Sequence, residues 1–199
     1  MTILLGYGAH GKDIYTVWKR DFVHQQSILQ IYDDSSQIGN VLSIAPADDA
    51  VFIGINKPLE RQRIHDSYHE RYKKVNTIAS RNQQIIDPTA IVADLITMGV
   101  GVVIAPNVLM LTEVEIGDHT HINYGVQMTR CKIGSFCTIA PGVTICGDVN
   151  IGNNVFIGAG AVISNLVNIG DNCTIGAGAV VLKDVPDNTT AVGVPAKCL

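Results

Sequence analysis

The chain has 199 residues and sets 14 lysines and arginines against 18 aspartates and glutamates, a formal charge of -4. That balance excludes the broad positive field by which proteins hold DNA or RNA. Hydrophobic residues make up 47% of the chain and charged residues only 16%, with 19 glycines, a mixture suited to a real core built from short strands and tight corners.

The first 76 residues read as a small α/β unit. A strand from Thr2 to Gly6 runs into Gly6-Tyr7-Gly8-Ala9-His10-Gly11, and a helix follows over Lys12 to Trp18. A second strand, Ser27 to Tyr32, ends at Asp33-Asp34, and a third covers Asp49 to Ile55. The polar stretch Leu59 to Lys74 suits a surface helix, with Ile64 and Tyr68 four apart on one face. The glycines match G-x-G-x-x-G after a strand, the pattern that sets a phosphate against a helix N-terminus. Three strands make about half of a dinucleotide fold, so the pattern points to a nucleotide and away from a nicotinamide cofactor. His10 packs or caps locally in the simpler reading.

From residue 77 to residue 199 the periodicity is different. Ile133, Ile139, Ile145, Ile151, Ile157, Ile163, Ile169, Ile175 and Val181 recur every six residues. Met98, Ile104, Met110, Ile116, Ile122 and Met128 keep the same period earlier. A period of six is neither that of a helix nor that of a lone strand; it fits a triangular solenoid, three short strands to a coil, with the apolar position facing inward. The two runs are out of phase, because Ile122 to Ile133 is eleven residues where two repeats give twelve. One residue is missing between Asn123 and Arg130, and such a defect marks a place where the wall bends or carries function.

Five cysteines, Cys131, Cys137, Cys146, Cys173 and Cys198, form no CxxC pair. They read as reduced, mostly buried thiols of a cytoplasmic protein. Cys131 and Cys137 occupy repeat positions and have no evident histidine partner, so packing is their expected role. No signal peptide is evident, and no apolar run approaches the roughly 18 residues of a membrane span.

With both halves in view, the sequence resembles the hexapeptide-repeat sugar O- and N-acyltransferases, the family of sialic acid O-acetyltransferases and of perosamine and bacillosamine-pathway N-acetyltransferases. The resemblance runs along essentially the whole chain. Its marks are Gly6 to Lys12, Asp33-Asp34, Ile122-Asn123, Ile139-Ala140-Pro141-Gly142, Ile157-Gly158-Ala159-Gly160, Ile175 to Val181 and Val192-Gly193-Val194-Pro195-Ala196-Lys197. It implies a Rossmann-like N-terminal domain, residues 1–76, and a left-handed parallel β-helix, residues 77–199. It also implies a homotrimer, acetyl-CoA as donor and a nucleotide-linked sugar as acceptor, with no permanently bound cofactor and no metal. Gly8, His10, Gly11, Asp33 and Asp34 then fall to the acceptor's nucleotide. The Gly147 N–H faces the thioester carbonyl. Gly158, Ala159, Gly176, Ala177, Lys183 and Lys197 line the pantetheine and phosphate end of the donor.

The sequence departs from this family at one coil. Where related enzymes carry a histidine as general base, Thr129 stands between Met128 and Arg130, and a second expected histidine is Thr138. The histidines left in the second half are His119 and His121. Either one assists a proton or is an ordinary surface or interface residue; two are too few for a metal-dependent hydratase. Asn123 either orients the acceptor or hydrogen-bonds across a coil corner. Arg130 offers a two-pronged grip on a carboxylate or phosphate of the acceptor, or is a solvated charge. An amino sugar supplies a nucleophile that is free base near neutrality, so the missing base favours N-acetylation. Two alternatives remain at this point: O-acetylation of a sialic acid-like or other sugar hydroxyl, and a non-catalytic protein that binds acyl-CoA or a nucleotide sugar.

Overall fold

The computed structural model describes residues 2–5, 29–32, 50–53, 57–71 and 84–199. The glycine loop with Gly6, Gly8, His10 and Gly11, the helix expected from Lys12 to Trp18, Asp33, Asp34 and the boundary at residues 76 and 77 lie outside them.

Strands β1 (Thr2–Leu5), β2 (Leu29–Tyr32) and β3 (Ala50–Ile53) form a parallel sheet in the order β2-β1-β3. Each lies within a stretch expected to be strand. Helix α1 spans Pro58–Arg71, within a residue or a turn of the expected bounds. Proline suits the first helical position, where its missing N–H costs nothing, and Glu60 in the first turn complements the positive end of the helix dipole. The inward face of α1 carries Pro58 and Arg61, both buried, with Ile64 and His65 half-buried behind them. These positions are three and four apart, as one helix face requires.

Residues 84–199 form a parallel β-solenoid with three walls. The first wall stacks strands from Ile85–Ile86 through His121–Ile122 and Thr138–Ile139 to Thr190–Val192, closed by an antiparallel Lys197–Cys198. The second runs from Ile91–Val92 through Gln127–Met128 and Thr144–Ile145 to Val180–Val181. The third runs from Ile96–Met98 through Cys131–Ile133 and Val149–Ile151 to Asn168–Ile169. Strands of two or three residues alternate with corners, and most corners turn on a residue with positive φ. Between the first and second walls these are Asn107, Gly125, Gly142, Gly160 and Gly178. Between the second and third they are Leu95, Glu113, Arg130, Asp148 and Leu166.

The core is the inward column the six-residue period marks. Ile139, Ile157, Ile163 and Ile175 have no exposed surface, and Cys131, Cys137 and Cys173 sit among them. Burial pushes the Cys131 and Cys137 thiols up to about 12, so they are packing groups and not nucleophiles. Met98 is the exception, only partly buried at the first described coil. Among the described residues no helix is long and apolar enough to cross a membrane.

Candidate active site

The missing residue can be placed from the strand register. In the second wall Met128 pairs with Met110 before it and Ile145 after it. In the third wall Cys131 pairs with Val114 and Val149. The neighbouring coils therefore bridge the corner with three residues, Leu111-Thr112-Glu113 and Cys146-Gly147-Asp148, whereas this coil has only Thr129-Arg130. Arg130 takes the turning position: its N–H donates to the Thr112 carbonyl at 2.7 Å and its own carbonyl accepts from the Asp148 N–H. Thr129 alone stands where the neighbouring coils set two residues, Leu111-Thr112 and Cys146-Gly147.

The Arg130 side chain folds into that gap. Its Nε and Nη2 donate to the two carboxylate oxygens of Asp148, each at 3.3 Å, a two-pronged fork. A Cβ added at Gly147 would strike Nη2, so glycine is what lets the guanidinium rest against the backbone there. The hydrogen bond to Asp148, and then its charge, raise the Arg130 pKa. A guanidinium so held stays cationic and cannot accept a proton. Beside it opens a groove of about 470 Å³ lined by Glu113, Glu115, Arg130, Lys132, Asp148 and Asn150, among others. Within it Lys132 Nζ stands 2.9 Å from Glu115 Oε1.

The Gly147 N–H, expected to face a thioester carbonyl, donates to Asn165 Oδ1 at 3.0 Å. The same coil-to-coil device caps Ser135 with Asn153 and Asn153 with Asp171. Thr129 is half-buried beside Arg130.

His121, offered to the reaction by the sequence, lies elsewhere. It points outward from the first wall yet is only 2% exposed, because Arg61 of α1 covers it. Arg61 Nη1 lies 3.3 Å from His121 Nδ1 and donates to Thr138 Oγ1 at 3.1 Å. Nη2 donates to the carbonyls of Phe136 and Cys137 at 2.6 and 2.7 Å. Arginine only donates, so Nδ1 is the acceptor and is closed to a substrate proton. His119 sits at the corner with φ 53°, its ring stacked on Phe136 at 5.3 Å and tilted against His65 at 4.6 Å. The corner separates it from His121. Asn123 is buried, and its side chain donates to the Ile139 carbonyl at 2.9 Å, the cross-coil alternative.

Lys183 and Lys197 line one cavity of about 470 Å³ with Leu182, Pro195 and Cys198. Gly158, Ala159, Gly176 and Ala177 lie at the corner between the first and second walls, a full wall away from Gly147. Among the described residues no three histidine, cysteine, aspartate or glutamate side chains converge as a metal site. Arg61 and Asn165 went unmarked in the sequence. The available signals were that Arg61 lies three residues before Ile64 on the same helix face, and that Asn165 stands one coil after Gly147.

Two family models match the solenoid: "Bacterial transferase hexapeptide (six repeats)" over residues 130–165 and "Hexapeptide repeat of succinyl-transferase" over residues 148–183. Residues 130–183 of the chain thus match hexapeptide repeats of the transferase type. A curated relative, GDP-perosamine N-acetyltransferase of Escherichia coli O157:H7, is 40% identical over 73 residues, 36% of this chain and 33% of that protein. The match thus spans a third of the relative's length. Among solved structures, PerB of Caulobacter crescentus in complex with CoA and GDP-perosamine superposes with a TM-score of 0.81 at 25% identity, covering 100% of this chain and 96% of that one. The acetyltransferase domain of PglB from Neisseria gonorrhoeae FA1090, in complex with acetyl coenzyme A, gives a TM-score of 0.86 at 23% identity, over 100% and 98% of the two chains. At that identity the second likeness is one of fold.

Proposed function

We propose that this hexapeptide-repeat chain transfers the acetyl group of acetyl-CoA to the amine of a nucleotide-linked amino-deoxy sugar in surface glycan synthesis. The observation that carries the reading is the likeness, along the whole chain, to the Caulobacter structure holding CoA and GDP-perosamine. Acetyl-CoA is consumed as a substrate, and no resident cofactor enters the reading. The solenoid takes the left-handed form of its family. The parallel sheet of β1 to β3 supports a Rossmann-like unit that holds the nucleotide, with Gly8, His10, Gly11, Asp33 and Asp34 in that role. Lys183 and Lys197, brought to one cavity, suit the anionic end of CoA. A homotrimer working in the cytoplasm completes the reading.

An amine acceptor also agrees with the site. A free amine attacks with its own lone pair, so the absence of a histidine at Thr129 removes no essential step. The three carboxylates of the groove, Glu113, Glu115 and Asp148, favour an acceptor without negative charge at its reacting end, as a free amine is.

The test is thiol release from acetyl-CoA against UDP-, dTDP- and GDP-linked amino and hydroxy sugars, with product mass read in parallel. Thiol release with one acetyl group gained on an amino sugar is the expected result. Release only with hydroxy sugars would replace the reading by O-acetylation, and acetyl-CoA binding without release from any acceptor would replace it by a binding protein.

A further inference from the structure

Resting on the acetyl-transfer reading, we propose that Arg130 is the oxyanion donor of this site: its guanidinium receives the negative charge that develops on the thioester oxygen. The shortened corner makes the place for it. With one residue, Thr129, in place of two at this corner, the Arg130 side chain folds against Gly147, where a Cβ would exclude it. The fork to Asp148 fixes its plane. Two of the roughly five N–H donors of a guanidinium are spent there, and the described structure gives the others no protein partner. The backbone donor at the same spot, the Gly147 N–H, is already given to Asn165 Oδ1 at 3.0 Å. Among the donors at this corner, Arg130 is the cation still open to a carbonyl oxygen.

The charges of the groove separate this role from a grip on an anionic acceptor. Arg130 and Lys132 face Glu113, Glu115 and Asp148, and Lys132 is paired with Glu115. A resident carboxylate or phosphate would meet an excess of negative charge. A neutral thioester does not, and it becomes charged only in the tetrahedral state, where a fixed cation acts most strongly.

The step balances without a general base. The amine nitrogen bonds to the carbonyl carbon, and the π pair moves to the oxygen against Arg130. Collapse of the intermediate breaks the carbon–sulfur bond, and the proton lost by nitrogen is the one gained by the CoA thiolate, passed through solvent. A permanently cationic arginine fits this chemistry, and a proton acceptor at its place is not required.

The experiment is Arg130→Met, with Arg130→Lys and Arg130→Ala beside it, in the intact protein. Three quantities are read: turnover with the amino-sugar acceptor found above, slow hydrolysis of acetyl-CoA by water, and acetyl-CoA affinity by calorimetry. Loss of one oxyanion donor costs about 10²–10³ in kcat. Arg130→Met should lose that factor in transfer and in hydrolysis alike, with acetyl-CoA affinity unchanged, and millimolar guanidinium should restore part of the Arg130→Ala rate. Arg130→Lys should fall between, since it keeps charge and loses the fork. The side chain is about half exposed, so the variants should fold, which a thermal melt checks. Transfer by Arg130→Met within about threefold of the native rate overturns the proposal. So does a rise in acceptor KM with kcat and hydrolysis unchanged, which assigns Arg130 to acceptor binding. A native protein that releases no thiol with any acceptor or with water overturns the transferase reading itself.

Discussion

A lysine at position 61 would keep the charge of the native arginine and lose its geometry. Arg61 has no exposed surface and joins α1 to the first wall through His121, Phe136, Cys137 and Thr138. Desolvation by burial lowers its pKa from 12.5 to about 9. At 1.36 kcal/mol per unit that is about 5 kcal/mol held against the charged form, offset by the bonds it makes. An ammonium is more strongly hydrated, has fewer donors and sits on a shorter stem, so it carries a similar penalty with fewer returns. Methionine removes the charge and its penalty together and fills much of the volume. It takes the Arg61 donor from the Phe136 carbonyl and from His121 Nδ1; the imidazole can answer by changing tautomer, and the Cys137 carbonyl still accepts from the His121 N–H at 2.9 Å. The Phe136 carbonyl, part-buried and so orphaned, costs about 1–3 kcal/mol. We therefore expect Arg61→Met to lose about 1–3 kcal/mol and Arg61→Lys about 3–5 kcal/mol. Urea unfolding measures both. In a chain of this size each kcal/mol moves Tm by about 2–4 °C. A lysine variant as stable as the methionine variant, or more so, would refute the reasoning.

The remaining expectations concern pH and the site. Unfolded thiols titrate near 9.0, whereas folded Cys131 and Cys137 titrate near 12. Between those values only the unfolded chain has released the two protons, so these groups lower stability as pH rises from 9 to 12. Each contributes about 1.4 kcal/mol per pH unit. Arg61 acts with the opposite sign, since its folded value of about 9 lies below its unfolded 12.5. Burial raises the Cys173 thiol as well, so the thiols outweigh Arg61 and stability falls as pH rises above 9, and the pair Cys131→Ala and Cys137→Ala should remove most of that fall in urea titrations at graded pH. Gly147→Ala should cost under about 1 kcal/mol, because its Cβ meets only the end of a flexible side chain. It should nonetheless lower kcat as far as Arg130→Met does, and a native rate would mean that the guanidinium need not lie on Gly147. His121→Gln keeps an acceptor for Arg61 and should leave transfer within about threefold of native. A general base would cost about 10²–10⁴ if removed, and a loss on that scale with the fold intact would return His121 to the chemistry.

What the sequence disclosed and what it hid follow from two kinds of contact. The inward column is periodic because each coil repeats the same covering relation to the next, and Ile133 to Val181 could be read off that period. Met98 drops out at the first described coil, where stacking has fewer partners. The register defect was visible as eleven residues in place of twelve, but its position needed pairing: Met128 in register on both sides confines it to Thr129-Arg130. The burial of His121 under Arg61 was not legible, either in its reading as a proton carrier or in that as a surface or interface residue, because docking of α1 on the first wall has no period. The Arg61–His121 contact joins residues sixty apart, and an arginine in a polar helix gives no sign of total burial. The cap on Gly147 belongs to the repeat and was legible in principle, since Asn165 lies one coil on.

The one-residue defect also explains how such a site coexists with so regular a core. A solenoid is stabilised coil by coil, each wall strand pairing only with its neighbours. The short strands of all three walls hold their register through the defect, and Met128, Cys131 and Ile133 remain buried. The deletion is therefore paid for at a corner, where two residues span what three span above and below. Corners are where this architecture tolerates change, because they carry turning residues and not the covered column. A missing residue there removes a side chain from the wall and brings the next one, Arg130, into its place against Gly147. In a globular core the same deletion would shift the packing of every later element; here it changes the chemistry presented at one corner and leaves the column beneath it intact.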